Sequence, residues 1–151
     1  MMRRILLTAG FLAFGISAEV ADGAQLGRIT GELRFPSCNQ TAPGLEVCAV
    51  PVDEDGDPTC TSDFAPNAAG QLTYTLEVRP GAYHVYATTP TIEDGRYRAF
   101  FSQAVRCGLE VACRDHTPVT IDVRAGKTVD GVHPSDWVAG FDEPEPAPLT
   151  N

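Results

Sequence analysis

Beyond its first 18 residues, this 151-residue chain has no stretch of ten or more residues with a convincing 3.6-residue apolar period. That absence excludes a helical bundle and any fold built on long crossover helices. Basic residues are also scarce, with 11 Lys+Arg against 20 Asp+Glu and a formal net charge of −9. A surface of that sign repels phosphate backbones and anionic membranes, so no nucleic-acid partner is expected, and the acidity reads as a solubility device. The chain lacks a Cys-x-x-Cys pair, which argues against a zinc site. Its only long apolar run is shorter than the roughly 20 residues a membrane span needs. No cysteine follows that run directly, so a lipoprotein anchor is not expected either.

What is there begins with that run. Met1-Met2-Arg3-Arg4 is a basic start, Ile5 to Ile16 is mostly apolar, and Ser17-Ala18 supplies small residues at a cut site. This predicts a signal peptide over 1–18, with Ser17 as the competing last residue, and a periplasmic or secreted protein with no membrane span after cleavage. Removal leaves nine basic residues (11 less Arg3 and Arg4) against 20 acidic ones, a net charge of −11. Residues 19–26 read as a flexible leader. Five cysteines in an exported chain point to disulfides and one odd thiol. Cys107 and Cys113 are the easiest pair, and closing so short a loop contributes about 2.4 kcal/mol on the chain-entropy argument. Cys38, Cys48 and Cys60 can supply one further bond, with the pairing open.

The clearest pattern runs from Gly70 to Ala87. Leu72, Tyr74, Leu76 and Val78 alternate with polar residues, and Tyr83, Val85 and Ala87 do so after Pro80-Gly81. Two such strands around a Pro-Gly type II turn predict a hairpin. Further strands are expected over Arg28–Phe35, Leu45–Val52, Thr59–Phe64, Ala99–Val105 and Val119–Val123, the last returning through Ala125-Gly126 along Lys127–His133. Gly31, interrupting the inward row of the first strand, marks a bulge or a close backbone approach. Asp53 to Pro58 resembles a calcium loop only superficially, because Pro58 stands where the loop glycine belongs and Phe64 where the closing Glu belongs. It reads as an acidic turn, and no metal or other cofactor is expected. Residues 138–151 are acidic and Pro-rich and read as a disordered tail. The sum is one domain, 27–137, all-β: a seven-stranded antiparallel Greek-key sandwich.

Gly27-x-Ile29-x-Gly31, Leu45-x-Val47-x-Ala49 and Pro80-Gly81-x-Tyr83-x-Val85-x-Ala87 together resemble a carboxypeptidase regulatory-like domain. The resemblance implies a transthyretin (prealbumin)-like sandwich and a non-catalytic module. The unit from Cys107-Gly108-Leu109 through Asp115-His116 to Asp136-Trp137 is similar to a pattern in exported bacterial proteins of this group. Enzymes on similar sandwiches do not fit: the chain ends Leu149-Thr150-Asn151, without the Tyr-Arg-Gly-Ser ending of the purine-pathway hydrolases. The two-tyrosine, two-histidine pattern of the intradiol dioxygenases is missing as well.

Pairing across Ala125-Gly126 brings Asp115, His116, His133, Asp136 and Trp137 to one end of the sandwich, beside the Cys107–Cys113 loop. These five are the candidate ligand or partner surface. Imidazoles and carboxylates can cap strand ends or ligate a metal, capping being the expectation; Trp137 can plug the core or stack on a sugar. Ser135, His116 and Asp136 form a triad on paper, without an oxyanion-hole signature, and no catalytic residue is assigned. The expected function is a non-catalytic exported module with a structural role or an envelope or extracellular protein as partner. The alternatives are a carbohydrate-binding module using Trp137 with exposed Tyr86 or Tyr97, and thirdly a small hydrolase.

Overall fold

A computed structural model describes the chain over residues 25–34, 43–53, 56–89 and 97–137. The predicted signal peptide, most of the leader, Cys38 and the tail lie outside those residues. Strands dominate, arranged in two sheets. One sheet has the order β4 (Phe64–Pro66), β5 (Leu72–Val78), β1 (Gly27–Glu32), β9 (Thr128–Val129). The other runs β10 (Asp136–Trp137), β7 (Arg98–Phe100), β6 (Gly81–Thr88), β2 (Glu46–Pro51), β3 (Thr59–Thr61), with β8 (Ile121–Val123) also pairing β6. Ile29, Tyr74, Leu76 and Val78 of the first sheet meet Val47, Ala49, Val85 and Ala87 of the second in one buried core. An all-β sandwich is therefore what the alternating sequence builds.

The Leu72–Ala87 stretch is not a hairpin. β5 pairs only with β1 and β4, whereas β6 pairs with β2, β7 and β8 in the opposite sheet. Gly81 starts β6 and is not among the positive-φ glycines, so the expected type II turn is absent. Pro80-Gly81 instead carries the chain across the core, and the Tyr83 hydroxyl donates to the Arg79 carbonyl at 2.8 Å to brace the crossing. Alternation says that each strand buries one face. It does not say whether the two faces lie side by side or oppose one another.

The same substitution of an arch for a hairpin occurs at Ala125-Gly126. β8 joins β6, while β9 runs parallel to β1, so the sandwich is not wholly antiparallel. Thr59–Phe64 divides as well, into β3 in one sheet and β4 in the other. Ala99–Val105 is strand only to Phe100, after which Gln103–Cys107 forms the helix α1. These divisions give ten short strands among the described residues where seven were expected.

Gly31 marks a close approach. A Cβ there would collide with the Val132 carbonyl oxygen. The Val132 amide donates to the Thr30 carbonyl (3.1 Å), and the buried Tyr74 hydroxyl donates to the Val132 carbonyl (2.7 Å). Burial pushes the Tyr74 phenol well above its ordinary range. These contacts seat the final segment on β1 and so fix where β10 begins.

Candidate functional site

α1 starts the site. Ser102 is its N-cap in extended backbone (φ −113°, ψ 174°), and its Oγ accepts from the Val105 amide at 3.4 Å. Gly108 closes the helix in the left-handed conformation (φ 105°), its amide donating to the Val105 carbonyl at 3.1 Å. The Leu109 amide donates to the Ala104 carbonyl at 2.8 Å, which completes a Schellman ending. A five-residue helix does not hold by itself. It is tied by a disulfide from Cys107 to Cys113, with Cα atoms 5.8 Å apart. Residues 117–119 then return beside 101–103: the Gln103 amide donates to the Thr117 carbonyl (3.0 Å) and that of Val119 to the Phe101 carbonyl (2.8 Å).

Asp136 is the hub of this end. It enters from β10, is 3 % exposed, and accepts at Oδ2 from the Ser102 hydroxyl. His116 Nδ1 lies 2.8 Å from Oδ2 and 3.1 Å from Oδ1. An ionised carboxylate only accepts, so Nδ1 carries a proton in this contact. One buried side chain thus ties three segments: the N-terminus of α1, the 115–118 return and β10. Burying a carboxylate is costly unless its oxygens are met by such donors, and here both groups meet it.

The five candidates separate in the structure. Only His116 and Asp136 touch directly. Asp115 turns away, its Oδ1 accepting from the Thr117 hydroxyl (2.7 Å) and amide (3.0 Å). The Thr117 hydroxyl bond, seconded by the amide, holds its carboxyl below the usual range. His133 faces the other sheet, where Nδ1 accepts the Glu32 amide at 2.8 Å, so the proton of its neutral ring is on Nε2. Trp137 is half-buried against the core, donates from Nε1 to the Arg34 carbonyl (2.9 Å) and stacks on Tyr97 with centroids 5.0 Å apart. Tyr86, expected to be exposed, is buried; it packs on Phe100, and the Arg98 guanidinium sits 4.8 Å from its ring centroid.

The paper triad also resolves differently. Ser135 donates to the His133 carbonyl (3.2 Å), and the serine on Asp136 is Ser102. A nucleophile–base pair needs histidine in contact with the serine, with the carboxylate behind it. Here the carboxylate stands between the two, and Ser102 is fully buried. This order suits a clamp, because the hydroxyl donates to a buried carboxylate and no described histidine contacts that hydroxyl. Ser102 was not singled out from the sequence, yet Ser102 and Gly108 bracket a short helix with N-cap and C-terminal signals that were readable there.

Cys48 and Cys60 stand opposite one another in the β2–β3 register and form the second disulfide. Glu46 lies close enough to complete a three-ligand cluster with them, but as a disulfide the two sulfurs offer no thiolate. Two disulfides fit a non-reducing, extracellular-type environment. No helix among the described residues is long and apolar enough to cross a membrane.

The loop closed by Cys107–Cys113 is the exposed apolar feature of this end among the described residues. The Cys113 amide donates to the Glu110 carbonyl at 2.8 Å, closing a turn with Val111 at its tip. Val111 is 96 % exposed and Leu109 45 %. No family model matches the chain, and no curated protein or solved structure matches it either.

Proposed function

We propose that the chain is an exported, non-catalytic β-sandwich module of the carboxypeptidase regulatory-like, transthyretin-like kind, working through protein contact at the cell envelope. One observation carries this reading. The polar cluster of Ser102, Asp136 and His116 Nδ1 ties the start of α1 to β10, and what it holds outward is a disulfide-closed loop tipped by an exposed valine. Val111 and the half-exposed Leu109 stand together on that loop, which suits a small contact surface. The two disulfides support export to the periplasm or medium.

The carbohydrate reading required a row of exposed rings. Tyr86 is buried, the indole N–H of Trp137 is engaged by the Arg34 carbonyl, and Tyr97 covers its ring. The arrangement favours a core plug over a sugar platform. The test is capture from envelope extract by the tagged mature chain, run beside a glycan array. Proteins retained by the folded chain and released by the heat-unfolded one are expected, with a blank array. Saturable glycan binding without a retained protein would overturn the reading.

A further inference from the structure

Beside the disulfide-closed loop lies an open groove of about 310 Å³, lined by Leu109, Glu110, Val111, Cys113, Arg114 and His116. We propose that this groove docks an extended acidic segment of a partner protein, one apolar side chain resting against Leu109 and Val111 and a neighbouring carboxylate on Arg114. The proposal rests on the protein-contact reading and names its site and the chemistry of its partner.

Three observations converge on it. First, the apolar groups are placed where folding does not need them. Turns favour Gly, Asn, Asp and Ser, yet this one presents a β-branched valine at 96 % exposure. Leu109 occupies the left-handed region (φ 55°), a conformation that disfavours a branched side chain and that a glycine would adopt without strain. Second, the loop is already ordered by the Schellman ending, the Glu110–Cys113 turn and the disulfide. Binding to it therefore demands little further loss of loop entropy. Third, the charge is complementary to an acid. Arg114 on the lining is exposed and has no ion pair among the described residues, in a chain where acids outnumber bases 20 to 11; Arg106, also exposed, lies outside the lining. His116, with Nδ1 on Asp136, has Nε2 left for a ligand on the same wall. Glu110 is the one acid on the lining, which selects against a segment acidic along its whole length.

A membrane fits less well. Two aliphatic tips give too little buried area to anchor a membrane, and the net charge of −9 opposes anionic lipid.

The experiment pans a random displayed-peptide library against the full oxidised chain. Enriched peptides should place an aliphatic or aromatic residue next to Asp or Glu. A synthetic consensus peptide should then lose about tenfold or more in affinity with Val111→Ser and with Arg114→Glu, as anchor residues do. Both variants should keep the wild-type melting curve, because each side chain is exposed. Arg114→Glu panned afresh should enrich Lys or Arg in place of the acid. No enrichment, or a consensus whose affinity ignores both variants, would overturn the groove. Envelope proteins still captured by both variants would leave the protein-contact reading standing, whereas glycan binding alone would remove that reading too.

Discussion

Replacing Asp136 by Asn tests the clamp with the smallest change of shape. The carboxylate accepts from Ser102 Oγ and from His116 Nδ1, both largely at Oδ2, and is 3 % exposed. An amide has one accepting oxygen, and its NH₂ opposes whichever donor is left. Two charge-assisted bonds worth roughly 1.5–3 kcal/mol each fall to neutral bonds of about 1 kcal/mol, one of them poorly formed. The relief of no longer burying a charge offsets part of this, so a net loss of about 2–3 kcal/mol is expected. A domain of this size loses about 4–8 °C per kcal/mol, so the melting temperature should fall on the order of 10–20 °C. Urea unfolding followed by Trp137 emission gives the free energy. Ser102→Ala should cost about 2 kcal/mol, since it removes both a helix cap and a donor to the carboxylate. His116→Asn should cost about 1 kcal/mol or less, because the imidazole is 39 % exposed and water replaces it. Asp136→Asn within about 0.5 kcal/mol of wild type, the range of an uninvolved surface change, would refute the clamp. A His116 variant worse than the Ser102 variant would show that the weight lies in the imidazole contact.

Gly31→Ala should prevent folding or cost more than about 3 kcal/mol, because its Cβ would collide with the Val132 backbone carbonyl; Gly70→Ala, with φ 78° and open space around it, should cost only about 1 kcal/mol in urea unfolding. Asp115 should titrate below ordinary aspartates by NMR, and Thr117→Val should raise it. Since its folded value is the lower one, its contribution is present above the unfolded pKa and fades as pH falls through the folded one. Trp137→Ala should cost about 3 kcal/mol and Trp137→Phe less, and native emission should shift red on unfolding. Peptide mapping without reduction should yield Cys48–Cys60 and Cys107–Cys113 linked fragments, leaving Cys38 as the odd thiol.

The sequence made the buried faces legible and the partners of those faces illegible. Tyr74, Leu76, Val78 and Tyr83, Val85, Ala87 are all buried, as their alternation requires. Their assignment to opposite sheets depends on which edges each strand finds, and β1 and β2 decide that from far along the chain. The short helix was hidden because five residues are too few for a period, although its capping residues were in view. At the candidate site, proximity of His116 to Asp136 came from an incorrect pairing across Ala125-Gly126. The contact arises instead because Val132 sits on Gly31 and directs β10 onto β7. His133 is only three residues from Asp136, yet it faces β1, since the intervening segment passes from one sheet to the other.

The most direct test of protein contact is site-specific photo-crosslinking in the exporting cell, with a photoreactive residue at Val111 and, as control, at exposed Thr75 of β5. A discrete crosslinked protein at Val111 and none at Thr75 is the predicted result, and its linked peptide should carry an acid beside an apolar residue. No protein crosslink at Val111, or the same products at both positions, would contradict the account.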